Sequence, residues 1–373
     1  MLVGVLTTSY PRQPGDPAGH FVASHVRALR AAGHDVEVIA AGGPSAHDDP
    51  GIHRIGGGNL FYTGGAPDRL EAAPRALLAA AAFAARMTAT VSRRARRWDA
   101  IVAHWLAPSA LAALPTRAPL LAIAHGGDVH TLRRLHLLGP ALHALHRRGA
   151  DLAFVTAELR DLAIAAAPGL TGYLARALVQ PMGLDLAHFA ALPRAPAPVP
   201  TALVVARLVP VKGVDIAIAA AERMTPPFHL VIAGDGPERT TLAARAAHAR
   251  AAVSLVGAID TRRRDDLLGQ AWVVVVPSRV LPSGRTEGAP LIALEALAAG
   301  IPVVASAVGG LRDLAPAAVL VAPDDPDALA AALAGVLASP RPAAEYRAAV
   351  RHLDWSEVAP RLVPRALRPR PDT

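Results

Sequence analysis

The sequence predicts an α/β protein built from two doubly wound parallel sheets in tandem, facing across a cleft. Short apolar runs alternate with longer helical patterns along the whole chain, the rhythm of parallel strands covered on both faces by crossover helices. That rhythm breaks once, over 190–200, where prolines at 193, 196, 198 and 200 leave no apolar periodicity and imply a stiff extended linker. The chain has 373 residues, of which 52% are apolar, too long for one core and sufficient for two. The expected organisation is a first domain over 1–190, a linker over 191–200, a second domain over 201–351 and a C-terminal segment over 352–373. That last segment is expected to pack back on the first domain and to fray at its end, RALRPRPDT.

In the first half, Leu2–Thr7, Asp35–Ala40, Asp99–Ala103, Leu120–Ala124 and Asp151–Val155 read as strands. Helical patterns over Gly19–Ala32 and Asp68–Arg97 separate them. In the second half the strands are Thr201–Ala206, His229–Ala233, Val253–Val256, Trp272–Val276, Pro302–Ala305 and Ala318–Val321. Helices open near Lys212, Glu238, Thr261, Pro290 and Asp325. In such sheets a ligand lies beyond the carboxyl ends of the strands, so the loops there carry the chemistry.

Composition removes several classes of function. Aromatic residues are only 4%, so the cores are built mostly from Ala, Val, Leu and Ile, and base stacking on nucleic acid is disfavoured. There is no cysteine, which excludes disulfides, thiolate metal sites and a cysteine nucleophile, and fits a reducing cytoplasm. The N-terminus MLVGVLTTSYP reads as a buried strand rather than a targeting leader. The Ala/Leu run from Ala76 to Ala85 is too short to span a bilayer. A net charge of +8 admits an anionic substrate or an anionic membrane surface. Arg93, Arg94, Arg96 and Arg97, with Arg86 and Arg75 further back, make a basic stretch suited to weak peripheral membrane contact. No large apolar face is expected beside it.

Three motifs in the second half carry the functional argument. Ala206-Arg207-Leu208-Val209-Pro210-Val211-Lys212-Gly213 follows a strand and opens a helix, so Arg207 and Lys212 can converge on an anion. Lys212 is the single lysine among 38 cationic residues, and a compact ammonium grips phosphate as a point charge. Gly234-Asp235-Gly236-Pro237 follows the next strand, and Gly234 and Gly236 allow a ligand close to the backbone. Glu287-Gly288-Ala289-Pro290-Leu291-Ile292-Ala293-Leu294-Glu295 is the most specific. Pro290 suits the first helical turn, leaving free N–H groups near Gly288, Ala289 and Leu291. Glu287 lies in the loop, whereas Glu295 lies one to two turns into an apolar helix, an unusual place for a solvated carboxylate.

The first half offers weaker signals. Gly15 and Gly19 bracket the loop after the first strand, before the helix carrying His20 and His25, and such a loop can face a diphosphate. His125-Gly126-Gly127-Asp128 ends another strand and suits contact with a reacting sugar, and His104-Trp105 ends a third. Asp265-Asp266 is the obvious acidic pair for a metal, but it follows three arginines and reads as a solvated helical face. No metal requirement is therefore expected, with Arg207, Lys212 and helix N-termini in its place.

Taken together these motifs resemble the retaining GT-B glycosyltransferases of family GT4 along nearly the whole chain. SYPRQPGDPAGHFVASHVRALRAAGHDV, AHWLAPSAL, IAHGGDVH and VQPMGLDLAHF match the first-domain pattern; ARLVPVKG, GDGP, EGAPLIALEALAAGIPVVAS and VGGLRD match the second. Ala206, Ala289 and Met182 depart from it, standing where the family often has Gly, an aromatic and Asn. The resemblance implies a UDP-, GDP- or other nucleoside diphosphate sugar as donor and a glycan, lipid-linked or small-molecule acceptor. It implies that Arg207 and Lys212 neutralise the leaving diphosphate, that Glu295 binds the ribose, and that Glu287 and His125 contact the transferred sugar. It favours front-face substitution, with the leaving phosphate taking the acceptor proton, over a covalent intermediate on Glu287. An inactive nucleotide-sugar-binding homologue is the main alternative. A nicotinamide dehydrogenase is disfavoured because no G-x-G-x-x-G follows the first strand, and a glycan phosphorylase because its cofactor lysine would have to be Lys212.

Overall fold

The apolar runs of the first half form a seven-stranded sheet in the computed structural model, which describes residues 1–61, 69, 76–225 and 227–368. Its strands are β1 (Leu2–Thr7), β2 (Asp35–Ala40), β3 (Ile52–Arg54), β4 (Ala100–His104), β5 (Leu120–Ala124), β6 (Asp151–Phe154) and β7 (Leu178–Val179). All pair in parallel, in the order β3-β2-β1-β4-β5-β6-β7. The short edge strands β3 and β7 are not among the strands expected from the sequence. Three partly buried residues and a two-residue strand carry too little apolar periodicity to be seen.

The second sheet has six strands, β8 (Thr201–Val205), β9 (His229–Ala233), β10 (Ala252–Gly257), β11 (Val273–Val276), β12 (Val303–Ser306) and β13 (Val319–Val321), all parallel in the order β10-β9-β8-β11-β12-β13. Burial of both faces explains why its strands read as unbroken apolar runs. Val274 and Val276 of β11 join one core with Leu203, Ala233 and Leu297, while Val273 and Val275 join the opposite core with Val204, Ile232 and Ile218. In both sheets the strand order reverses once, between β1 and β4 and between β8 and β11. Residues at those carboxyl ends border the crevice that a reversal opens.

The helices used below are α1 (His20–Ala31), α2 (Ala76–Arg94), α3 (Gly127–Arg134), α4 (Val214–Ala221), α5 (Thr261–Gln270), α6 (Leu291–Ala298) and α7 (Pro326–Ala338). Asp68, the expected start of the long second helix, lies outside the described residues, as does Arg75.

Contacts divide the chain at Gly183–Leu184, ahead of the expected boundary at 190. Unit 1 is Met1–Gly183 with the segment from Trp355, and unit 2 is Leu184–Asp354. The proline-rich stretch lies along unit 2 instead of standing free as a linker. Its non-proline N–H groups explain this: Ala195 and Ala197 donate to the carbonyls of Gly269 and Gln270 at 3.1 and 3.0 Å. Trp355 is buried in unit 1, and a Cβ on Gly183 would stand 2.4 Å from its ring. The expected fraying falls on residues 369–373, outside the described ones.

Two details bear on the basic stretch. Arg94 and Arg97 both pair with Glu37, the former at 3.3 Å, and the Trp98 indole N–H donates to the same carboxylate at 3.0 Å. Two apolar side chains at the start of α2, Leu77 and Leu78, are 40% and 76% exposed. Among the described residues, no helix is long and apolar enough to cross a membrane.

Candidate active site

In unit 2 the site is built where β8, β9, β11 and β12 end. After β8 the chain turns through Arg207 and a short 3-10 turn, Pro210–Lys212, into α4. Gly213 takes a left-handed conformation (φ 59°), and a Cβ there would meet the Pro277 carbonyl at 2.0 Å. That close approach brings Lys212 beside the loop after β11. Its ammonium donates to Glu287 Oε2 at 2.6 Å, and the fully buried Ser278 hydroxyl donates to the same oxygen at 2.9 Å. Burial pushes the Glu287 carboxyl up, but Lys212, by charge and hydrogen bond, and Ser278 outweigh it, so its pKa is lowered and it is ionised at neutral pH.

Glycines hold the surrounding loops close. Gly234 (φ 141°) would place a Cβ 1.8 Å from the Ala206 carbonyl, and Gly236 would place one 2.4 Å from the Leu208 carbonyl. Gly309, left-handed at φ 52°, lies against the Glu287 carbonyl, where a Cβ would stand at 1.9 Å. The Gly310 N–H donates to that carbonyl at 3.4 Å. Pro290 caps α6 without a side-chain hydrogen bond, so the first N–H groups of that helix follow the Gly288-Ala289 turn with no side-chain cap. Glu295, on the second turn of α6, is 3% exposed. Its Oε1 accepts from Arg264 at 2.9 Å, and that guanidinium also lies over the Phe189 ring at 5.2 Å.

In unit 1, Gly19 (φ 66°) starts α1 against the Ser9 carbonyl, which a Cβ would approach to 2.1 Å, and Gly15 (φ 82°) lies in the same loop. At the ends of β4 and β5 three histidines form a chain. His25 Nδ1 lies 3.1 Å from His104 Nε2, and His104 Nδ1 lies 3.0 Å from His125 Nε2. Burial lowers the pKa of His25 and of His125 to about 3, with His25 adding to the effect on His125, and pushes His104 well below its usual range. Phe21 and Trp105 pack around His125, their ring centroids 5.1 and 5.0 Å from it. Trp105 has φ 71°, a strained conformation for a bulky residue, held between two of these histidines. Asp128 accepts backbone N–H groups from Leu106, His125 and Gly126 at 2.6, 3.1 and 3.0 Å. Burial raises its pKa against those hydrogen bonds. It therefore shapes the loop that carries His125.

Residues 18–169 match the family model for the glycosyl transferase 4-like domain, and residues 193–352 match that for glycosyl transferases group 1. The chain belongs to the GT4-like glycosyltransferases. It is 37% identical over 191 residues to glycogen synthase of Mycobacterium tuberculosis strain CDC 1551, which covers 48% of this chain and 45% of that protein. It is 30% identical over 279 residues to the putative colanic acid biosynthesis glycosyltransferase WcaL of Escherichia coli K12, covering 71% of this chain and 64% of the relative. Each match therefore spans under two thirds of the relative's length. Anabaena HepE, solved in complex with UDP, has the same GT-B fold, with a TM-score of 0.68 at 18% identity over 97% of this chain and 98% of that one.

The motifs of this GT4-like chain separate into two groups, one per unit. Lys212, Glu287, Gly288, Ala289, Pro290 and Leu291 come together in unit 2, with Arg207, Gly234 and Gly236 on the adjoining strand ends. Gly15, Gly19, His125 and Asp128 belong to unit 1. The reading of Asp265-Asp266 as a solvated face holds for the exposed Asp266 and not for Asp265. Arg264 and Asp265 are largely buried and pair with each other at 2.8 Å, and Asp265 also meets His188 at 2.9 Å. The 3.6-residue period puts Arg264 on the face of α5 that carries buried Leu267 and Leu268. A charge among apolar neighbours at that spacing is the signal the sequence holds for it. Ser278 carries no such signal, because a single serine after a strand has no distinctive pattern; Gly309 shows in the sequence only as part of the matched VGGLRD motif. Among the described residues, no group of three or more His, Asp or Glu is placed to hold a metal ion.

Proposed function

We propose that this protein transfers a sugar from a nucleoside diphosphate sugar to a glycan, lipid-linked or small-molecule acceptor, with retention of anomeric configuration and without a metal. The observation that carries the reading is the Lys212–Glu287 contact at 2.6 Å, beside the uncapped start of α6. It sets a lysine and free backbone N–H groups at strand ends, where a diphosphate is best received. The UDP bound to HepE, a protein of the same fold, supports a nucleotide donor.

The chemistry follows from charge. Departure of the diphosphate builds negative charge on its bridging oxygen, and positive charge develops at the anomeric carbon. Arg207, Lys212 and the α6 N–H groups stabilise the former, the task usually worth most in such a reaction. An incoming diphosphate competes with Glu287 for Lys212 and frees that carboxylate to accept a hydroxyl of the transferred sugar. Glu295, held by Arg264, receives the ribose hydroxyls. Gly234 and Gly236 let the nucleotide approach the backbone. In unit 1, the family resemblance assigns the Gly15–Gly19 loop to the phosphates and His125, on the loop shaped by Asp128, to the sugar. The acceptor hydroxyl attacks the anomeric carbon, the bond to the diphosphate breaks, and the acceptor proton goes to the leaving phosphate oxygen.

The test is incubation with a panel of UDP- and GDP-sugars, following release of free nucleotide and sugar with and without excess EDTA. The expected outcome is slow donor hydrolysis that EDTA leaves unchanged. Nucleotide binding with no turnover for any donor would instead identify an inactive homologue, and activity lost in EDTA and restored by manganese would overturn metal independence.

A further inference from the structure

The histidine chain of unit 1 has a definite proton count. Each of its two N···N contacts, at 3.1 and 3.0 Å, needs one N–H facing one lone pair. Burial keeps the three rings neutral at ordinary pH, so each carries a single proton. Two of those protons occupy the N···N contacts. The third sits at one end of the chain, on His25 Nε2 or on His125 Nδ1.

The two ends differ. His25 and His104 are 0% exposed, and of the three residues only His125 reaches the surface. His25 Nε2 is buried without a hydrogen-bond partner, and the ring lies flat on the indole of Trp355, with centroids 5.1 Å apart and planes 10° apart. An N–H at that nitrogen would be an orphaned buried donor, which folded proteins avoid more strictly than an unfilled acceptor. At the outer end, water or a ligand can accept the proton's hydrogen bond. The groups facing His125 are Phe21 and His25 from α1, His104 and Trp105 from the end of β4, and Asp128 from its own loop. The Asp128 carboxylate is already occupied by backbone N–H groups.

We propose that His25 and His104 are positioning residues that fix His125 as the neutral tautomer with its proton on Nδ1, so that the ring offers the donor sugar an N–H. The proposal rests on the reading of His125 as a sugar contact. It gives the buried chain a purpose: a neutral donor can hold a sugar hydroxyl, whereas an imidazolium would repel the positive charge that develops at the anomeric carbon. His104 transmits the choice of tautomer, because a ring donating through Nδ1 requires its neighbour to accept through Nε2.

The full chain, labelled with ¹⁵N at histidine, tests this without substrate. Two-bond proton–nitrogen spectra report which ring nitrogen bears hydrogen, and loss of one signal set in His125→Gln assigns the residue. The expected result is a proton on Nδ1 that persists from about pH 8 to about pH 5. A proton on Nε2, or ionisation within that range, overturns the proposal. His104→Asp and His104→Asn then separate positioning from packing, since the two side chains have nearly one shape. An ionised aspartate only accepts, so His125 must then carry its proton on Nε2, and kcat for the donor should fall about tenfold or more relative to His104→Asn, which can still donate. Equal tautomers in the two variants refute the role of His104. If His104→Asp does not fold, the wild-type spectrum still decides. Because the spectrum needs no turnover, a chain without transferase activity can keep the Nδ1–H form, and an active chain can lack it. The two readings thus fail separately.

Discussion

Lys212 shows how much one residue type can say. As the single lysine of a chain rich in arginine, it stands out in the sequence alone, and the fold gives it a carboxylate partner and a buried serine next to that partner. Removing it has two consequences. On the proposed reading Lys212→Ala takes away a charge-assisted contact to phosphate, and it leaves the Glu287 carboxylate with only the Ser278 hydroxyl donating to it. On the same reading Arg207→Ala takes away a second contact to phosphate. Each substitution should weaken UDP or GDP binding by about 1.5–3 kcal/mol, the range for hydrogen bonds to charged groups. Lys212→Ala should in addition lower stability, because a buried charge has lost its counter-ion. Calorimetric titration alongside thermal unfolding checks both, and unchanged nucleotide affinity in the two variants would remove them from the site. Arg264 teaches the opposite lesson. Of three consecutive arginines only Arg264 turns inward, and the single hint of it in the sequence is its helical spacing to Leu267 and Leu268.

At the scale of elements, the site depends on turns that bring strand ends within contact. Gly309, after β12, lies against the Glu287 carbonyl in a left-handed conformation. Gly309→Ala should cost about 1–3 kcal/mol from backbone strain and push the Glu287 loop outward. Nucleotide affinity should then fall together with the thermal midpoint. Gly335 is the control. It lies within α7, and a Cβ there meets nothing within 4 Å. Gly335→Ala should therefore raise stability by about 0.4–1 kcal/mol. Equal effects of the two substitutions would show that close approach at Gly309 does not hold the loop. The central strands are legible in the sequence because each is apolar on both faces, as Val273–Val276 illustrates. The edges β3 and β7 are not, because a strand paired on one side and half exposed needs little apolar pattern.

For the molecule as a whole, the net charge of +8 and the arginines at the end of α2 pose the question of a membrane. Arg94 and Arg97 are engaged by Glu37, which leaves the exposed Arg93 and Arg96, with Arg86 and the exposed Leu77 and Leu78 on the same helix. At roughly 1 kcal/mol for each cation near an anionic surface, three arginines support only weak attachment. We propose a salt-reversible contact of that strength. In liposome flotation at low salt, a minor fraction of the protein should rise with anionic vesicles, and none with neutral ones. Binding that survives high salt would assign the attachment to Leu77 and Leu78 instead, and no binding at low salt would leave the arginines as a solvated face.

The sequence by itself determined the two parallel sheets, their central strands and the positions of most candidate site residues. Strand periodicity, glycine at strand ends and an isolated lysine are local signals, and local steric and solvation rules suffice to read them. The tertiary structure alone decided the partners. That Lys212 meets Glu287, that Glu295 meets Arg264 and that three histidines from α1, β4 and the end of β5 share a proton chain are contacts between residues 21 to 79 positions apart. It also decided that the chain divides at Gly183–Leu184 and that Trp355 seals the histidine chain from within. Such pairings are set by how the strand ends and helices pack around one another, and no periodicity in the sequence records them.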